Sequence, residues 1–136
     1  MLTPHPGEAA RLLGVSVAEI QADRFAAAQA IAQHYGGVCV LKGSGTLIAS
    51  SDVPTVWLCD RGNPGLASGG TGDVLTGVIV ALLAQGLAPI DAARLAVWAH
   101  ASAADQVAIS GERGIMASDL FAPLRNILNN VIAHDA

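Results

Sequence analysis

The segment from Asn63 to Gly77 holds the residues best suited to chemistry in this sequence: Asn63-Pro64-Gly65-Leu66-Ala67-Ser68-Gly69-Gly70-Thr71-Gly72-Asp73-Val74-Leu75-Thr76-Gly77. Gly65, Gly69, Gly70 and Gly72 place four glycines in eight residues. Without Cβ atoms, backbone N–H groups can converge on one point. The segment follows a strand-like stretch and opens an apolar helix, whose start adds partial positive charge. Together these make an anion site suited to phosphate, with Gly69, Gly70 and Gly72 as its candidate donors. No Gly-Lys-Ser/Thr follows, so this is not a P-loop. Gly70-x-Gly72 is not a dinucleotide fingerprint either, because Leu75 stands where the third glycine belongs. Phosphate is therefore expected to be held by backbone and dipole rather than by an adjacent lysine.

Asp73 stands where that loop becomes helix. A carboxylate there can accept a proton from a substrate hydroxyl while loop amides hold a transferring phosphoryl group. The plainer reading is an N-cap aspartate. Lys42-Gly43-Ser44-Gly45-Thr46 closes a strand, at the edge where α/β sheets bind ligands. Its amides and the Thr46 hydroxyl suit a nucleotide phosphate or ribose; the plainer reading is a hairpin turn. Thr3-Pro4-His5-Pro6-Gly7-Glu8 sets two prolines around a histidine. The prolines stiffen the loop and fix where His5 points, whether toward a ligand or only as an exposed lead-in to a helix. His100 and Asp105 lie on a mostly apolar helix and read as core or interface residues. His34 and His134 read as surface residues.

These candidates need a frame. A short helix is expected over Glu8 to Leu13, stopped by Gly14. Ser16 to Glu19 is a capping box that opens a helix to Tyr35, with Val17, Ile20, Phe25, Ala28, Ile31 and Tyr35 marking its apolar face. Strands follow over Val38 to Leu41, Thr46 to Ala49 and Val53 to Cys59. Asp73 to Leu83 reads as a helix. Pro89 suits the first turn of the next, which runs to about Ile109. Ser118 or Asp119 caps a last helix to about Ile127. Strand–loop–helix alternation argues for a layered α/β fold. A complete βαβ unit would need a strand ahead of the first helices, and almost none is supplied, so the sequence reads as part of a larger domain.

Composition narrows the class. The chain has 136 residues, 52% of them hydrophobic and 13% charged, which is globular rather than disordered. Aromatics make up only 4%, and the abundant alanines suit close helix packing. The net charge is −4, and Lys42 is the sole lysine among seven basic residues. No basic stripe is present, so nucleic acid is not an expected partner. Cys39 and Cys59 lack metal-ligand spacing and read as reduced core cysteines; no metal site is expected from side chains. No secretory signal opens the sequence, and a cytoplasmic location is expected. The uncharged run between Asp73 and Asp91 is too short in its apolar core for a bilayer, which needs about 20 residues, and reads as a buried helix.

The His5 loop, the Lys42–Thr46 turn and the Asn63–Asp73 loop, in that order, resemble the ADP/ATP-dependent NAD(P)H-hydrate dehydratases. Gly114 to Leu120, with Ala117-Ser118-Asp119-Leu120, is similar to that family's closing segment. Ser44 stands where alanine is common in the family. The resemblance implies a ribokinase-like three-layer α/β fold, of which residues 1–136 would be the C-terminal part of one nucleotide-binding domain. In many bacteria that domain is fused behind an epimerase domain. It implies that ATP or ADP, with magnesium, phosphorylates the 6-hydroxyl of hydrated NADH or NADPH, and that loss of phosphate restores the nicotinamide ring. It makes Asp73 the base and a substrate contact, with His5 facing the hydrated dinucleotide. Lys42, Gly43, Ser44, Gly45, Thr46, Gly69, Gly70 and Gly72 would line the nucleotide site. A homo-oligomer, often a tetramer, is also implied.

Two other readings compete. The same fold supports small-molecule kinases acting on a vitamin-precursor alcohol, which would share Gly72-Asp73 but have less use for the His5 loop. The chain by itself could also be a non-catalytic nucleotide-binding or assembly module. A parallel sheet lacking its central strands exposes apolar edges that favour association.

Overall fold

The computed structural model describes residues 1–134, with side chains through residue 129, so the His134 side chain lies outside the described residues. Six helices and three strands follow in the order α1 (Pro6–Leu13), α2 (Val17–Ala22), α3 (Arg24–Tyr35), β1 (Val38–Leu41), β2 (Thr46–Ser50), β3 (Val53–Cys59), α4 (Thr71–Ala84), α5 (Pro89–Ala108) and α6 (Phe121–His134).

The strands form a sheet in the order β1-β2-β3, both pairings antiparallel, with Val40 opposite Ile48 and Ile48 opposite Trp57. The antiparallel pairings follow from the short connections, and the hairpin reading of the Lys42–Thr46 turn holds. Four residues join β1 to β2 and two join β2 to β3, whereas a parallel crossover takes a dozen or more. The parallel contact is a single bridge between Leu2 and Cys39, in which Leu2 N–H donates to Val38 O at 2.9 Å and Val40 N–H to Leu2 O at 2.8 Å. That bridge lays the first residues of the chain beside β1.

Side chains alternate across the sheet, and both faces are covered. Cys39, Leu41, Leu47 and Ala49 pack against Ala9, Ile20, Ala28 and Ile31 of α1–α3. Val38, Val40 and Ile48 pack against Leu75, Ile79, Leu82, Ala93 and Ala96 of α4 and α5. Burial on two faces explains why β1 is apolar throughout rather than alternating. Each buried Leu or Ile contributes roughly 1.5–3 kcal/mol. Ala99, Ala103 and Ala104 of α5 carry a further cluster with Leu120, Leu124 and Ile127. This is the expected three-layer α/β arrangement, and the alanines of α5 let one helix touch the sheet, α4 and α6.

The helix expected over Val17 to Tyr35 is broken in two. Asp23 leaves helical geometry (φ −148°, ψ 85°), and its carboxylate accepts from Ala26 N–H at 2.9 Å, opening α3 as a new helix. The apolar face is broken accordingly: Ile20, Ala28 and Ile31 are buried, whereas Val17, Phe25 and Tyr35 are exposed. The run from Asp73 to Asp91 contains the end of one expected helix and the start of the next, and it is not buried throughout. It is α4, a turn at Gln85–Ala88 and the start of α5, and Val80 faces out. The last helix is preceded by a 3₁₀ turn over Ala117–Leu120, which Asp119 caps by accepting from Met116 N–H at 2.8 Å. Cys39 and Cys59 are both free, the first buried and the second half-buried. Among the described residues no helix is long and apolar enough to cross a membrane.

Candidate functional site

The glycine-rich segment leaves β3 and is fixed at several points before α4 begins. Asp105 of α5 accepts from Gly62 N–H at 3.0 Å and from Asn63 Nδ2 at 3.1 Å. The Asn63 side chain in turn accepts from Gly65 N–H at 3.0 Å, starting a 3₁₀ turn over Pro64–Ala67. Gly65 is required there. A Cβ would stand 2.6 Å from Ile115 Cδ1 and 2.9 Å from Asn63 Oδ1. The Ser68 hydroxyl lies 2.6 Å from Ile115 O. Thr71 Oγ1 lies 2.7 Å from Leu66 O and 3.0 Å from Ser68 O. Gly70, with φ +88°, makes the left-handed turn into α4.

The helix begins at Thr71, so Gly70 is its N-cap and Asp73 sits within its first turn. Asp73 therefore does not cap the helix, which removes the plainer reading of that residue. Its side chain is exposed and, among the described residues, makes no hydrogen bond. The N–H groups of Gly69, Gly70 and Gly72 likewise have no acceptor among the described residues. Free donors at the positive end of a 14-residue helix are what an anion site requires.

Lys42 supplies the other half of the site. Its Nζ lies 3.1 Å from the position a Cβ on Gly72 would take. No carboxylate lies within ion-pair distance of it among the described residues. No lysine is adjacent to the loop in sequence; Lys42, thirty residues before Gly72 and among the residues expected at the nucleotide site, brings a full charge to it. Arg24 holds the turn that carries it. Its guanidinium donates to Ser44 O at 2.7 Å and to Leu41 O at 3.4 Å, and lies against Gly43. The Thr46 hydroxyl is turned inward, donating to Gly43 O at 3.3 Å.

The His5 loop joins the same edge through the backbone, Lys42 N–H donating to Pro4 O at 2.9 Å. His5 itself is the N-cap of α1. Its Nδ1 accepts from Gly7 N–H at 3.0 Å and Glu8 N–H at 3.3 Å, while Glu8 accepts from His5 N–H at 2.7 Å. The neutral ring thus carries its proton on Nε2, 3.6 Å from Glu8 Oε1. Among the described residues its side chain makes no hydrogen bond or ion pair to the glycine segment; its polar partners are Gly7 and Glu8. The hydrogen bond from the His5 backbone N–H, against burial and with help from the nearby charges of Lys42 and Arg11, holds the Glu8 carboxyl below its usual range.

His100 is the residue sequence reasoning undervalued. Read as core or interface, it is buried on α5 with Nε2 2.9 Å from Thr71 O. Because that partner is a carbonyl, Nε2 is the donor. Burial lowers its pKa, against the Thr71 hydrogen bond, and the nearby Lys42 charge lowers it further. Asp105 was undervalued for the same reason. The available signal was two polar residues on an otherwise alanine-rich helix. His34 is exposed, as expected, edge-on to Tyr35.

Lys42 and Gly72 thus stand together, with Asp73 and Gly69–Gly70 next to Gly72 along the chain and the Gly43–Thr46 turn following Lys42. From Asp73 an open apolar groove of about 550 Å³ runs between α4 and α6, past Gly77, Leu82, Phe121 and Leu128. No group of three His, Cys, Asp or Glu side chains converges among the described residues. The arrangement can bind an anion on three amides and an ammonium, and can accept a proton one residue away.

Residues 1–126 match the family model described as Carb_kinase, NAD(P)H-hydrate dehydratase. The chain is 58% identical over 130 residues to a bifunctional NAD(P)H-hydrate repair enzyme of Vibrio cholerae, covering 95% of this chain and 26% of that protein. It is 47% identical over 134 residues to an ADP-dependent (S)-NAD(P)H-hydrate dehydratase of Neisseria meningitidis, covering 97% and 45%. Among solved structures, it superposes with a TM-score of 0.88 and 37% identity on the ADP/ATP-dependent NAD(P)H-hydrate dehydratase of Bacillus subtilis, co-crystallised with ATP/Mg2+. That match covers 95% of this chain and 47% of the other. The chain therefore spans less than half the length of each of these proteins.

Proposed function

The chain belongs to the NAD(P)H-hydrate dehydratase family, and from that premise we propose that it carries the phosphate-holding and proton-accepting part of a nucleotide-dependent dehydratase that repairs hydrated NADH and NADPH. The single observation that supports this most is the meeting of the Lys42 ammonium with Gly72, next to free glycine amides and the Asp73 carboxylate. In this reading the terminal phosphoryl group of ATP or ADP rests on the amides of Gly69, Gly70 and Gly72. Lys42 offsets its charge, and the turn from Gly43 through Ser44 and Gly45 to Thr46 borders the rest of the nucleotide.

The chemistry is assigned to Asp73. It accepts the proton of the substrate 6-hydroxyl as that oxygen takes the terminal phosphoryl group, whose bond to the departing ADP or AMP breaks. Phosphate then leaves with the carbon–oxygen electron pair while the neighbouring ring carbon gives up a proton to water, and the carbon–hydrogen pair becomes the double bond that restores the nicotinamide ring. Magnesium would enter with the nucleotide, on phosphate oxygens, since it favours few protein ligands. His5, exposed beside the Lys42 turn, would border the hydrated dinucleotide. The same reading places the protein in the cytoplasm, as a homo-oligomer.

Calorimetric titration of the chain with ADP tests the binding half. Turnover is tested with NADPH hydrate, ADP or ATP and magnesium, in a protein of the relatives' full length that contains these residues. The expected result is regained NADPH absorbance matched by released phosphate. Phosphorylation of a thiazole or pyrimidine alcohol, with no NADPH recovered, would sink the dehydratase reading.

A further inference from the structure

We infer that α5 is the support on which the phosphate-holding segment is stretched, with His100 and Asp105 as paired positioning residues at its two ends. The inference rests on the reading of Gly69–Gly72 as the anion-holding donors. Those glycines are also the weakest part of the loop, since glycine constrains the backbone least. Something outside the segment has to hold it, and one helix does so at both ends.

At the entry, the Asp105 carboxylate takes one hydrogen bond from Gly62 N–H and one from Asn63 Nδ2, at 3.0 and 3.1 Å. A Cβ on Gly62 would lie 3.5 Å from Ala101 Cβ, so the loop starts in contact with the helix itself. At the exit, His100 Nε2–H donates to the Thr71 carbonyl at 2.9 Å. Thr71 is the first residue of α4, and its peptide plane also carries the Gly72 N–H. A donor that fixes the Thr71 carbonyl therefore fixes the direction of the Gly72 N–H on the same plane. This sets where Gly72 meets the Lys42 ammonium. Between the two holds, Gly69 and Gly70 are exposed and their N–H groups have no acceptor among the described residues.

Burial decides how strong the hold at the exit is. His100 is 7% exposed, and a buried hydrogen bond that loses its partner leaves an unsatisfied group behind. A leucine at this position would fill the space but leave the Thr71 carbonyl without that donor. A glutamine can still supply an N–H.

The test compares His100→Leu, His100→Gln, Asp105→Ala and the unaltered chain by two readouts: amide hydrogen exchange across residues 62–76, and calorimetric titration with ADP. The expected result for His100→Leu is about tenfold faster exchange at Asp73 and Val74, whose N–H groups donate to Gly70 O at the start of α4, and about tenfold weaker ADP binding. His100→Gln should stay close to the unaltered chain in both. Asp105→Ala should speed exchange first at Gly62, whose N–H donates to that carboxylate. Unchanged exchange at the α4 start in His100→Leu would overturn the inference. So would equal losses in the leucine and glutamine variants that track only their melting temperatures. Should His100→Leu not fold, the Asp105→Ala exchange pattern judges the support by itself. If the unaltered chain binds no ADP, the nucleotide reading fails, and the exchange arm still decides whether α5 holds the loop.

Discussion

The Lys42 ammonium occupies the space that a side chain on Gly72 would need, at 3.1 Å from the would-be Cβ. Lys42 closes β1 and Gly72 lies in the first turn of α4, so thirty residues of chain are folded to bring one charge to one missing methyl group. Gly72→Ala should therefore have effects of opposite sign. In a helix, alanine is favoured over glycine by about 1 kcal/mol, so the melting temperature should rise or hold. Lys42 must give way by a few tenths of an ångström, so ADP binding should weaken, and weaken further for Gly72→Val. Calorimetry and thermal unfolding on the same samples check both signs.

Lys42→Met keeps the length of the side chain and removes its charge. A hydrogen bond to a charged group is worth about 1.5–3 kcal/mol, so the dissociation constant for ADP should rise on the order of tenfold to a hundredfold. Stability should change little, because Lys42 has no ion-pair partner among the described residues. Binding unchanged by the substitution would detach this residue from the site.

Asp73→Asn separates chemistry from structure. The carboxylate makes no hydrogen bond among the described residues and does not cap α4, so folding and ADP binding should survive. Turnover in a protein of full family length should fall by roughly 10²–10⁴-fold. Near-normal turnover would reject Asp73 as the proton acceptor.

Stability should fall on mild acidification. Burial, and then the Lys42 charge, keep the folded His100 pKa below its usual 6.5 against the Thr71 hydrogen bond. Below about pH 6.5 the unfolded chain takes up a proton that the folded chain resists, so the unfolded state gains as pH drops toward the folded pKa. Urea midpoints measured at pH 7.5, about 6 and about 5 should decline, and His100→Gln should flatten that decline. A pH-independent midpoint in the unaltered chain would contradict the burial of a neutral imidazole.

Gly65→Ala should be costly where Gly69→Ala is not. The new Cβ at Gly65 meets Ile115 at 2.6 Å, whereas nothing lies within 4 Å of one at Gly69. Overpacking of this kind costs about 1–3 kcal/mol. Adding Ile115→Val should recover part of it, which denaturant titration of the single and double variants can measure.

Much of the site was legible in the sequence. Glycine spacing located the anion-holding loop, and the strand before Lys42 located the turn, because both depend on local backbone chemistry. The missed parts depend on distance. Nothing local in Lys42 says that its ammonium reaches Gly72, and nothing in an alanine-rich helix says that His100 and Asp105 face the loop. The hairpin between β1 and β2 was legible too, since four residues are too few for a parallel crossover. The two-helix break at Asp23 was hidden because Phe25 and Tyr35 continue an apolar spacing that the fold leaves exposed.

That break at Asp23 has a consequence for anyone improving this protein. Arg24 opens α3, where a cation opposes the helix dipole, and its guanidinium is spent instead on the carbonyls of Ser44 and Leu41. Replacing Asp23 with a strong helix former would favour one continuous helix from Val17 onward. Each residue of a continuous helix turns the chain by about 100° and advances it 1.5 Å, so Arg24 would swing off the Lys42 turn. A change that any propensity scale scores as a gain would then loosen the strap holding the only lysine at its post.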